Sequence, residues 1–208
     1  MTIHLHKGDL PDGLDFRGVE AVAVDTETMG LVPRRDRLCL VQLSAGDGVC
    51  HLVQIMPEQV GRDSAPNLRR LMEDPAIVKI FHYARFDVAV LKYNLGIAVN
   101  PIYCTKIASK LTRTYTDRHG LKDLCRELLD VDLSKQQQSS DWGAPELTEA
   151  QLAYAASDVL HLHRLRAELD RRLARMGRAH LAAAAFAFLP ARAELDLLGW
   201  EEEDIFAH

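Results

Sequence analysis

Apolar residues recur along the first half of the chain in short runs that are typical of β-strands. The runs are separated by residues with turn chemistry, such as Ser44-Ala45-Gly46-Asp47-Gly48. We predict strands over residues 19–24, 38–43, 49–55 and 77–81, with shorter strands at 2–6 and 102–103. Short connections join the strands from 19 to 55, so this part of the sheet should be antiparallel.

The second half of the chain changes to the spacing of helices. We predict helices over residues 66–72, 85–95, 106–111, 121–129, 148–174 and 182–189. Thr148 is placed to cap the longest helix, with Gln151 completing a capping box, and Pro190 should end the last helix. The pattern predicts an α/β fold with a mixed central sheet, antiparallel in its first three strands, flanked by helices and followed by a helical C-terminal half.

The 208 residues predict one domain, over residues 1–208, with no accessory helical domain for nucleic acid. The tail from about residue 190 to 208 contains Leu197, Leu198, Trp200 and Phe206. Because such an apolar segment rarely stays free in water, we expect it to pack on its own domain or on a neighbouring subunit.

Composition narrows the class of protein. A net charge of −5 argues against a protein that coats long duplex nucleic acid, although a short substrate in a local pocket stays possible. The four cysteines form no C-x-x-C pair, and no apolar run is long enough to span a membrane. We therefore expect a cytoplasmic protein without a membrane partner.

The stretch Val22-Ala23-Val24-Asp25-Thr26-Glu27 is the main chemical signal in the chain. Alternate residues of a strand point to one face, so Asp25 and Glu27 should lie side by side. Two like charges at the end of an apolar strand are costly unless a cation lies between them, and Mg²⁺ and Mn²⁺ prefer carboxylate oxygen. The alternative is a pair of acids that are simply solvated.

Two further acids and a tyrosine complete a possible metal site. Asp87 should stand at a helix start after the strand at 77–81, and Tyr154 and Asp158 should share one face of the longest helix. Taken alone, each acid could be structural or solvated. Together they could supply the converging carboxylates that two-metal phosphodiester hydrolysis needs, with Tyr154 aiming the attacking water.

D-x-E, a central Asp and Y-x-x-x-D, in this order, resemble the DEDD exonucleases of the tyrosine-containing subgroup. The segments Cys104 to Leu111, Gly120 to Leu124 and Ser139-Ser140-Asp141-Trp142 are similar to the ribonuclease D branch. The compact nano-RNase C group is a closer match, similar in Thr105 to Lys122, in Lys135 to Trp142 and in the tail from Leu195 to His208. The resemblance implies the ribonuclease H-like exonuclease fold. It also implies a 3′→5′ exoribonuclease that hydrolyses very short single-stranded RNA, especially diribonucleotides, and a homo-oligomer that is an octameric ring.

The resemblance also implies roles for the acids. Asp25, Glu27 and Asp158 would bind the first of two divalent cations, Mg²⁺ or Mn²⁺. Asp25 would bridge to the second cation, which Asp87 would support directly or through water.

Candidate substrate-binding residues lie outside the acids. Met29 stands where relatives carry an apolar residue that wedges between the last two bases, although core packing would also explain it. The basic and aromatic segment 112–119 suits contact with phosphate and bases, or else it is a solvated loop or an intersubunit contact. The candidates are Met29, His82, Arg113, Tyr115, His119 and Lys135. We expect Trp142 to be a packing anchor.

Two alternative functions stay open at this point. The protein could be a 3′→5′ exonuclease on longer RNA or on DNA, because the metals act on phosphate and not on the 2′-hydroxyl. A non-catalytic nucleic-acid-binding scaffold is a remote alternative, because a fold does not by itself determine a function.

Overall fold

The protein, described here by a computed structural model over residues 2–134, 136–137 and 139–208, contains one six-stranded mixed sheet. The strands are β1 (Thr2–Lys7), β2 (Ala21–Thr28), β3 (Leu38–Ser44), β4 (Val49–Gln54), β5 (Val78–Phe81) and β6 (Ile102–Cys104). Their order is β1-β4-β3-β2-β5-β6. β2, β3 and β4 pair antiparallel, whereas β1, β5 and β6 each run parallel to a neighbour. The predicted α/β class and the antiparallel start are confirmed.

Helices cover both faces of this sheet. They are α1 (Pro66–Glu73), α2 (Ala84–Leu95), α3 (Thr105–Thr112), α4 (Leu121–Leu129), α5 (Glu149–Leu160), α6 (Leu162–Arg175) and α7 (Ala179–Leu195). One core layer lies between the sheet and helices α1, α2 and α7. The other lies between the opposite face and helices α4, α5 and α6. β2 is near the middle of the sheet and contributes buried residues to both layers.

The predicted helix over residues 148–174 is wrong in one respect, because it is two helices that meet at His161. The backbone N–H of His161 bonds to the carbonyl of Val159, which interrupts the regular ladder of i to i−4 bonds. No proline or glycine marks this point in the sequence, so periodicity alone could not show it. The predicted capping box of Thr148 and Gln151 is present.

The prediction that Pro190 ends a helix is also wrong, because α7 continues through it to Leu195. An interior proline removes one backbone hydrogen bond and costs about 3 kcal/mol. On both sides of Pro190, Leu189 and Ala193 are buried against the core. This packing holds the helix together across the proline.

The first residues of the C-terminal tail pack on their own domain, which was one of the two arrangements expected. Leu197 lies against the core, and the Asp196 carboxylate accepts hydrogen bonds from Arg85 at 2.6 Å and from Arg192 at 2.9 Å. Further along, Leu198 and Phe206 expose 64% and 77% of their surface. Among the described residues, no helix has the length and apolar character needed to cross a membrane. All four cysteines are buried free thiols.

Candidate active site

The acidic pair lies within β2 and not after it. The strand was predicted to end at Val24, but it continues to Thr28 because its backbone stays paired with β3 through both acids. Glu27 lies opposite Leu40, and the register shifts between Glu27 and Thr28. Such a bulge is common beside active sites, where it redirects the chain. The pairing with β5 ends at Ala23, so Asp25 and Glu27 project from a part of β2 that is paired with β3 alone.

Asp158 on α5 completes a carboxylate cluster with Asp25 and Glu27. One carboxylate oxygen from each of these three residues lies within 4.8 Å of the other two, and all three side chains are partly buried. Helix α5 packs against β2, β3 and β4, which brings Asp158 over the face of β2 that carries both acids. Asp25, Glu27 and Asp158, which the sequence placed on two separate elements, thus lie close together in the fold.

Asp87 approaches the cluster from the first turn of α2 and is buried. Its Oδ1 accepts a hydrogen bond of 2.7 Å from the hydroxyl of Thr26. Thr26 stands between Asp25 and Glu27 and points to the opposite face of β2. Asp87 is therefore fastened to the same three-residue segment, from the other side of the sheet.

In the absence of a cation, burial raises the pKa of all four acids. Burial, followed by the charges of Asp158 and Asp87, raises the pKa of Glu27 to about 9. Burial raises the pKa of Asp87 and of Asp158 to about 7 each. Burial and the neighbouring acids raise the pKa of Asp25 as well. No arginine or lysine of the described residues forms an ion pair with these four carboxyl groups.

This donor set fits a divalent cation. The converging atoms are carboxylate oxygens, which Mg²⁺ and Mn²⁺ prefer, and they come from a strand and a helix that the fold holds in place. A cation would also stabilise the charged carboxylates, whose pKa values are raised by burial and, for Asp25 and Glu27, by the neighbouring acids as well. Asp25, Glu27 and Asp158 would hold it, with Asp87 beside them.

Tyr154 lies one helical turn before Asp158, on the same side of α5. Burial and the charges of Asp158, Glu27 and Asp25 raise the pKa of its hydroxyl. The hydroxyl is therefore neutral at ordinary pH and can donate or accept a hydrogen bond. The Tyr154 ring lies 6.1 Å from the ring of Trp142, which is buried, as expected of a packing anchor.

The predicted substrate residue Met29 borders the cluster on another side. It exposes 52% of its surface. A Cβ atom on Gly143 would lie only 2.4 Å from the Met29 sulfur, so the loop after Trp142 lies close against this side chain, and a larger residue at 143 would require Met29 to move. Met29 is thus half in contact with a loop and half exposed, and its role toward bases stays a prediction.

His82, at the carboxyl end of β5, has its Nδ1 atom 2.9 Å from the hydroxyl of Thr105. That hydroxyl donates to the carbonyl of Phe81 at 3.2 Å, so Nδ1 must carry the proton of the imidazole. Burial, followed by the charge of Lys106, lowers the pKa of His82 to about 3. A phosphate contact by His82, which stays a prediction, would therefore use a neutral ring.

The prediction that Arg113 binds phosphate is wrong. The Arg113 side chain is fully buried, and its guanidinium forms an ion pair with Glu127 and a 3.1 Å hydrogen bond to Ser109. It also donates to the carbonyl of Arg118 at 2.5 Å. All of these partners belong to the protein, so Arg113 has a structural role in joining α3 to α4.

The remaining candidates are not settled. Tyr115 exposes 66% of its surface and donates its hydroxyl proton to Glu127. His119 lies 2.9 Å from the hydroxyl of Ser109. Their role in substrate binding stays a prediction, and Lys135 lies outside the described residues.

Sequence reasoning missed three residues near the cluster. Thr26 is one, although any hydroxyl between two acids of a strand was a possible signal. Gln42, fully buried in β3, stands directly opposite Asp25 in the β2–β3 pair. A single amide in an otherwise apolar strand was the available signal. Leu31, just after the strand, exposes 85% of its surface, which no pattern in the sequence indicated.

Carboxylates that converge from a central strand and a helix, with Asp87 on a second helix and a tyrosine one turn away, are the arrangement that metal-dependent phosphodiester hydrolases use. Residues 14–174 match the 3′–5′ exonuclease family, and the chain belongs to this family. The resemblance noted from the motifs is confirmed, and so is the fold that it implied.

Solved structures of NrnC from Brucella melitensis are similar to this chain over its whole length. The structure with bound Mg²⁺ is 60% identical in sequence to this chain, with a TM-score of 0.94, and the match covers 100% of both chains. The structure bound to pGG is 61% identical, with a TM-score of 0.94, and the match covers 100% of this chain and 99% of that one.

Ribonuclease D proteins are more distant relatives. Ribonuclease D of Gluconacetobacter diazotrophicus is 37% identical over 168 residues, which are 81% of this chain but 42% of that protein. The chain thus spans less than half the length of this relative. The structure of Escherichia coli RNase D is 26% identical, with a TM-score of 0.72, over 84% of this chain and 45% of that one.

Proposed function

We propose that this protein is a 3′→5′ exoribonuclease that hydrolyses very short RNA, down to diribonucleotides, to mononucleotides. The cluster of Asp25, Glu27 and Asp158 carries the proposal, because it is present in a chain that matches a pGG-bound relative from end to end. The net charge of −5 is consistent with a small substrate held in one pocket.

We infer that two divalent cations, Mg²⁺ or Mn²⁺, are bound at each active site. When bound, they supply charge neutralisation at the phosphodiester and activation of water. Asp25, Glu27 and Asp158 would hold the first, and Asp25 and Asp87 the second. Thr26 fixes the Asp87 carboxylate by its 2.7 Å hydrogen bond, so this acid needs no rearrangement.

Tyr154 has a positioning role in this mechanism. Its raised pKa makes it a poor base, so its neutral hydroxyl would orient the attacking water by a hydrogen bond. The contact of its ring with Trp142 and its place on α5 limit its freedom. Asp158, one turn later, is held by the same helix, so the two groups keep a constant spacing.

We also propose that the chain forms a homo-oligomer, with an octameric ring as the expected assembly. The support is the tail, where Leu198, Trp200, Ile205 and Phe206 expose between 42% and 77% of their surfaces. Apolar side chains in such number commonly lie at subunit contacts. Light scattering coupled to size exclusion measures the mass, and a monomer at micromolar concentration would contradict this proposal.

A cytoplasmic location is part of the same proposal. The four free cysteines are buried, and burial raises the pKa of each thiol. Free thiols are typical of proteins in a reducing compartment.

Cleavage of longer RNA is the second candidate function. It is favoured by the identity of 37% to ribonuclease D over most of this chain. DNA cleavage differs only in the 2′-hydroxyl, and a non-catalytic scaffold would need no metal at all. One set of digestions separates all of these functions.

The experiment is a timed digestion of 5′-labelled RNAs from two to about twenty nucleotides, with matched DNA strands. We expect the highest kcat/KM for the diribonucleotide, dependence on Mg²⁺ or Mn²⁺, and no cleavage in EDTA. A preference for long RNA or for DNA would select the second candidate, and metal-independent binding without cleavage would select the scaffold.

Two variants control this experiment. Asp25→Asn removes one charge from the carboxylate cluster and should abolish cleavage. Asp63→Asn removes an exposed carboxylate in the loop before α1 and should leave cleavage unchanged. Full activity of Asp25→Asn would contradict the proposed mechanism.

A further inference from the structure

Tyr83 occupies a strained position in the turn between β5 and α2. Its backbone has φ 73° and ψ 44°, in the left-handed region. Bulky side chains rarely adopt this conformation, whereas glycine and asparagine tolerate it better. The other non-glycine residues with positive φ in the described chain are Ala65 and Asp130, so Tyr83 is the aromatic one among them. Strain of this kind tends to persist at functional sites.

No contact of the Tyr83 side chain with the core offsets this backbone strain. The Tyr83 side chain exposes 44% of its surface, and its hydroxyl makes no hydrogen bond to the described residues. The turn uses only the backbone of Tyr83, whose carbonyl accepts from the N–H of Phe86 at 3.1 Å. Any residue that tolerates positive φ could make that bond, so the ring itself must serve another purpose.

Tyr83 is the N-cap residue of α2, the helix that carries Asp87 in its first turn. Tyr83 is four residues before Asp87, which is bonded to Thr26 in the middle of the acidic segment of β2. The ring lines a cavity of about 330 Å³ together with Leu31 and Val32, which follow that segment. The chain segments that follow Glu27 and that flank Asp87 therefore both contribute residues to the lining of this cavity.

A cation lies against the Tyr83 ring, although the cavity itself is lined by acids (Asp196, Glu201 and Glu202) as well as by arginines (Arg34 and Arg85). The ammonium of Lys106 lies 4.1 Å from the centre of the Tyr83 ring, a cation–π contact. Burial, followed by the charge of Lys110, lowers the pKa of Lys106. An anion near Lys106 would offset this repulsion. An aromatic ring with a cation next to it suits a nucleobase and its phosphate.

We propose that the Tyr83 ring is the stacking surface for one base of the short RNA and that Lys106 contacts the adjoining phosphate. This inference rests on the proposed function and names a specificity-determining residue for it. Stacking explains why a strained aromatic residue stands where the backbone alone would favour asparagine or glycine.

The test is Tyr83→Asn, which keeps a residue suited to positive φ and removes the ring. Base stacking on an aromatic side chain is lost at a cost equivalent to about 5- to 150-fold in affinity. We expect KM for the diribonucleotide to rise within that range, with kcat within about twofold. Relief of strain should raise the Tm by about 2–4 °C.

Substrates that lack one base sharpen the test. The rise in KM caused by Tyr83→Asn should disappear on the diribonucleotide whose stacked base is replaced by an abasic ribose, and persist on the other abasic isomer. Tyr83→Phe should retain the KM of the wild-type protein. Tyr93→Asn, which removes a 54%-exposed ring from the other end of α2, should leave KM unchanged.

Three results would overturn this inference. An equal KM for wild type and Tyr83→Asn would remove the stacking role. A KM penalty that is the same on both abasic substrates would show an indirect effect. A changed solution mass in Tyr83→Asn, together with the loss of affinity, would show that the ring serves a subunit contact. A wild-type protein that cleaves no diribonucleotide would refute the proposed function instead.

Discussion

Two acidic side chains near the start of α2 have opposite surroundings. Asp87 lies among Asp25, Glu27 and Asp158 and has no basic partner among the described residues, and burial raises its pKa to about 7. Asp196 accepts hydrogen bonds from Arg85 at 2.6 and 2.8 Å and from Arg192 at 2.9 Å. Arg85 is two residues before Asp87 on α2. Asp87 therefore lies among other acids, whereas Asp196 is neutralised by two arginines.

This difference shows how the fold keeps basic side chains away from the acids of the active site. Residues two apart on a helix point in different directions, so Arg85 cannot turn to Asp87 while it holds Asp196. Arg113 is likewise engaged by Glu127, whose pKa its hydrogen bond lowers to about 2. Paired charges in this protein stabilise the structure, whereas the acids of the cluster have no basic partner among the described residues and fit a divalent cation. Each prediction below changes one side of this contrast.

Asp158→Asn should separate activity from stability. Loss of a cluster carboxylate weakens cation binding, and we expect kcat/KM to fall about a thousandfold, or about 4 kcal/mol. The same change removes repulsion, so the metal-free variant should have a higher Tm than wild type at pH 8. Activity on the diribonucleotide and calorimetry in EDTA measure the two effects. Asp63→Asn serves as the control, and a lower Tm of Asp158→Asn would contradict the repulsion.

The metal-free protein should lose stability as pH rises. The folded pKa values of Glu27, Asp87 and Asp158, at about 9, 7 and 7, exceed the ordinary value near 4. Between these limits the folded state binds more protons, so the free energy of unfolding falls from pH 4 toward pH 9. The shift of Asp158 alone corresponds to about 4 kcal/mol.

Denaturant titrations from pH 5 to 9 in EDTA measure this slope. Added Mg²⁺ should flatten it, because the cation binds the deprotonated acids of the folded state alone. Asp158→Asn should have a shallower slope than wild type. A stability in EDTA that rises steadily over this pH range would mean that the cluster is not under repulsion.

Asp196→Ala should lower the stability of the protein, because it breaks the ion pairs with Arg85 and Arg192, and should leave the acids of the cluster in place. It leaves Arg85 and Arg192 without their carboxylate, in a place where Asp196 is only 10% exposed. Breaking a largely buried pair in this way costs about 2–3 kcal/mol, which lowers the Tm by several degrees. Glu194→Gln, which breaks the exposed pair with Lys92, should change stability by less than about 0.5 kcal/mol. Equal effects of the two substitutions would contradict this ranking.

The cluster could be predicted from the sequence because local rules determine its parts. Alternation along a strand places Asp25 and Glu27 together, and a spacing of four places Tyr154 and Asp158 on one helix side. The fold class follows from the alternation of strands and helices. These signals lie within single elements, where periodicity carries the information.

What escaped prediction depends on contacts between elements. Arg113 looked free because its partner Glu127 lies fourteen residues later, on another helix. The break at His161 has no marker residue, and Pro190 is tolerated only because α7 packs on both sides of it. The same composition that suggested phosphate binding at Arg113 also serves an internal ion pair, and only the tertiary structure separates the two.

Gln42 allows the comparison between partnered and unpartnered buried groups to be repeated on an uncharged side chain, where the expected change in stability is smallest. Its amide is fully buried opposite Asp25, and neither its oxygen nor its nitrogen has a hydrogen-bond partner among the described residues. A buried amide without a partner is costly, so Gln42→Leu should raise the free energy of unfolding in EDTA by about 1 kcal/mol. Gln54 is similarly buried in β4, and its Oε1 also has no partner among the described residues, but its Nε2 donates to the carbonyl of Ala144 at 3.0 Å. Gln54→Leu should therefore lower stability, and a matching loss for Gln42→Leu would show that the Gln42 amide is satisfied in solution.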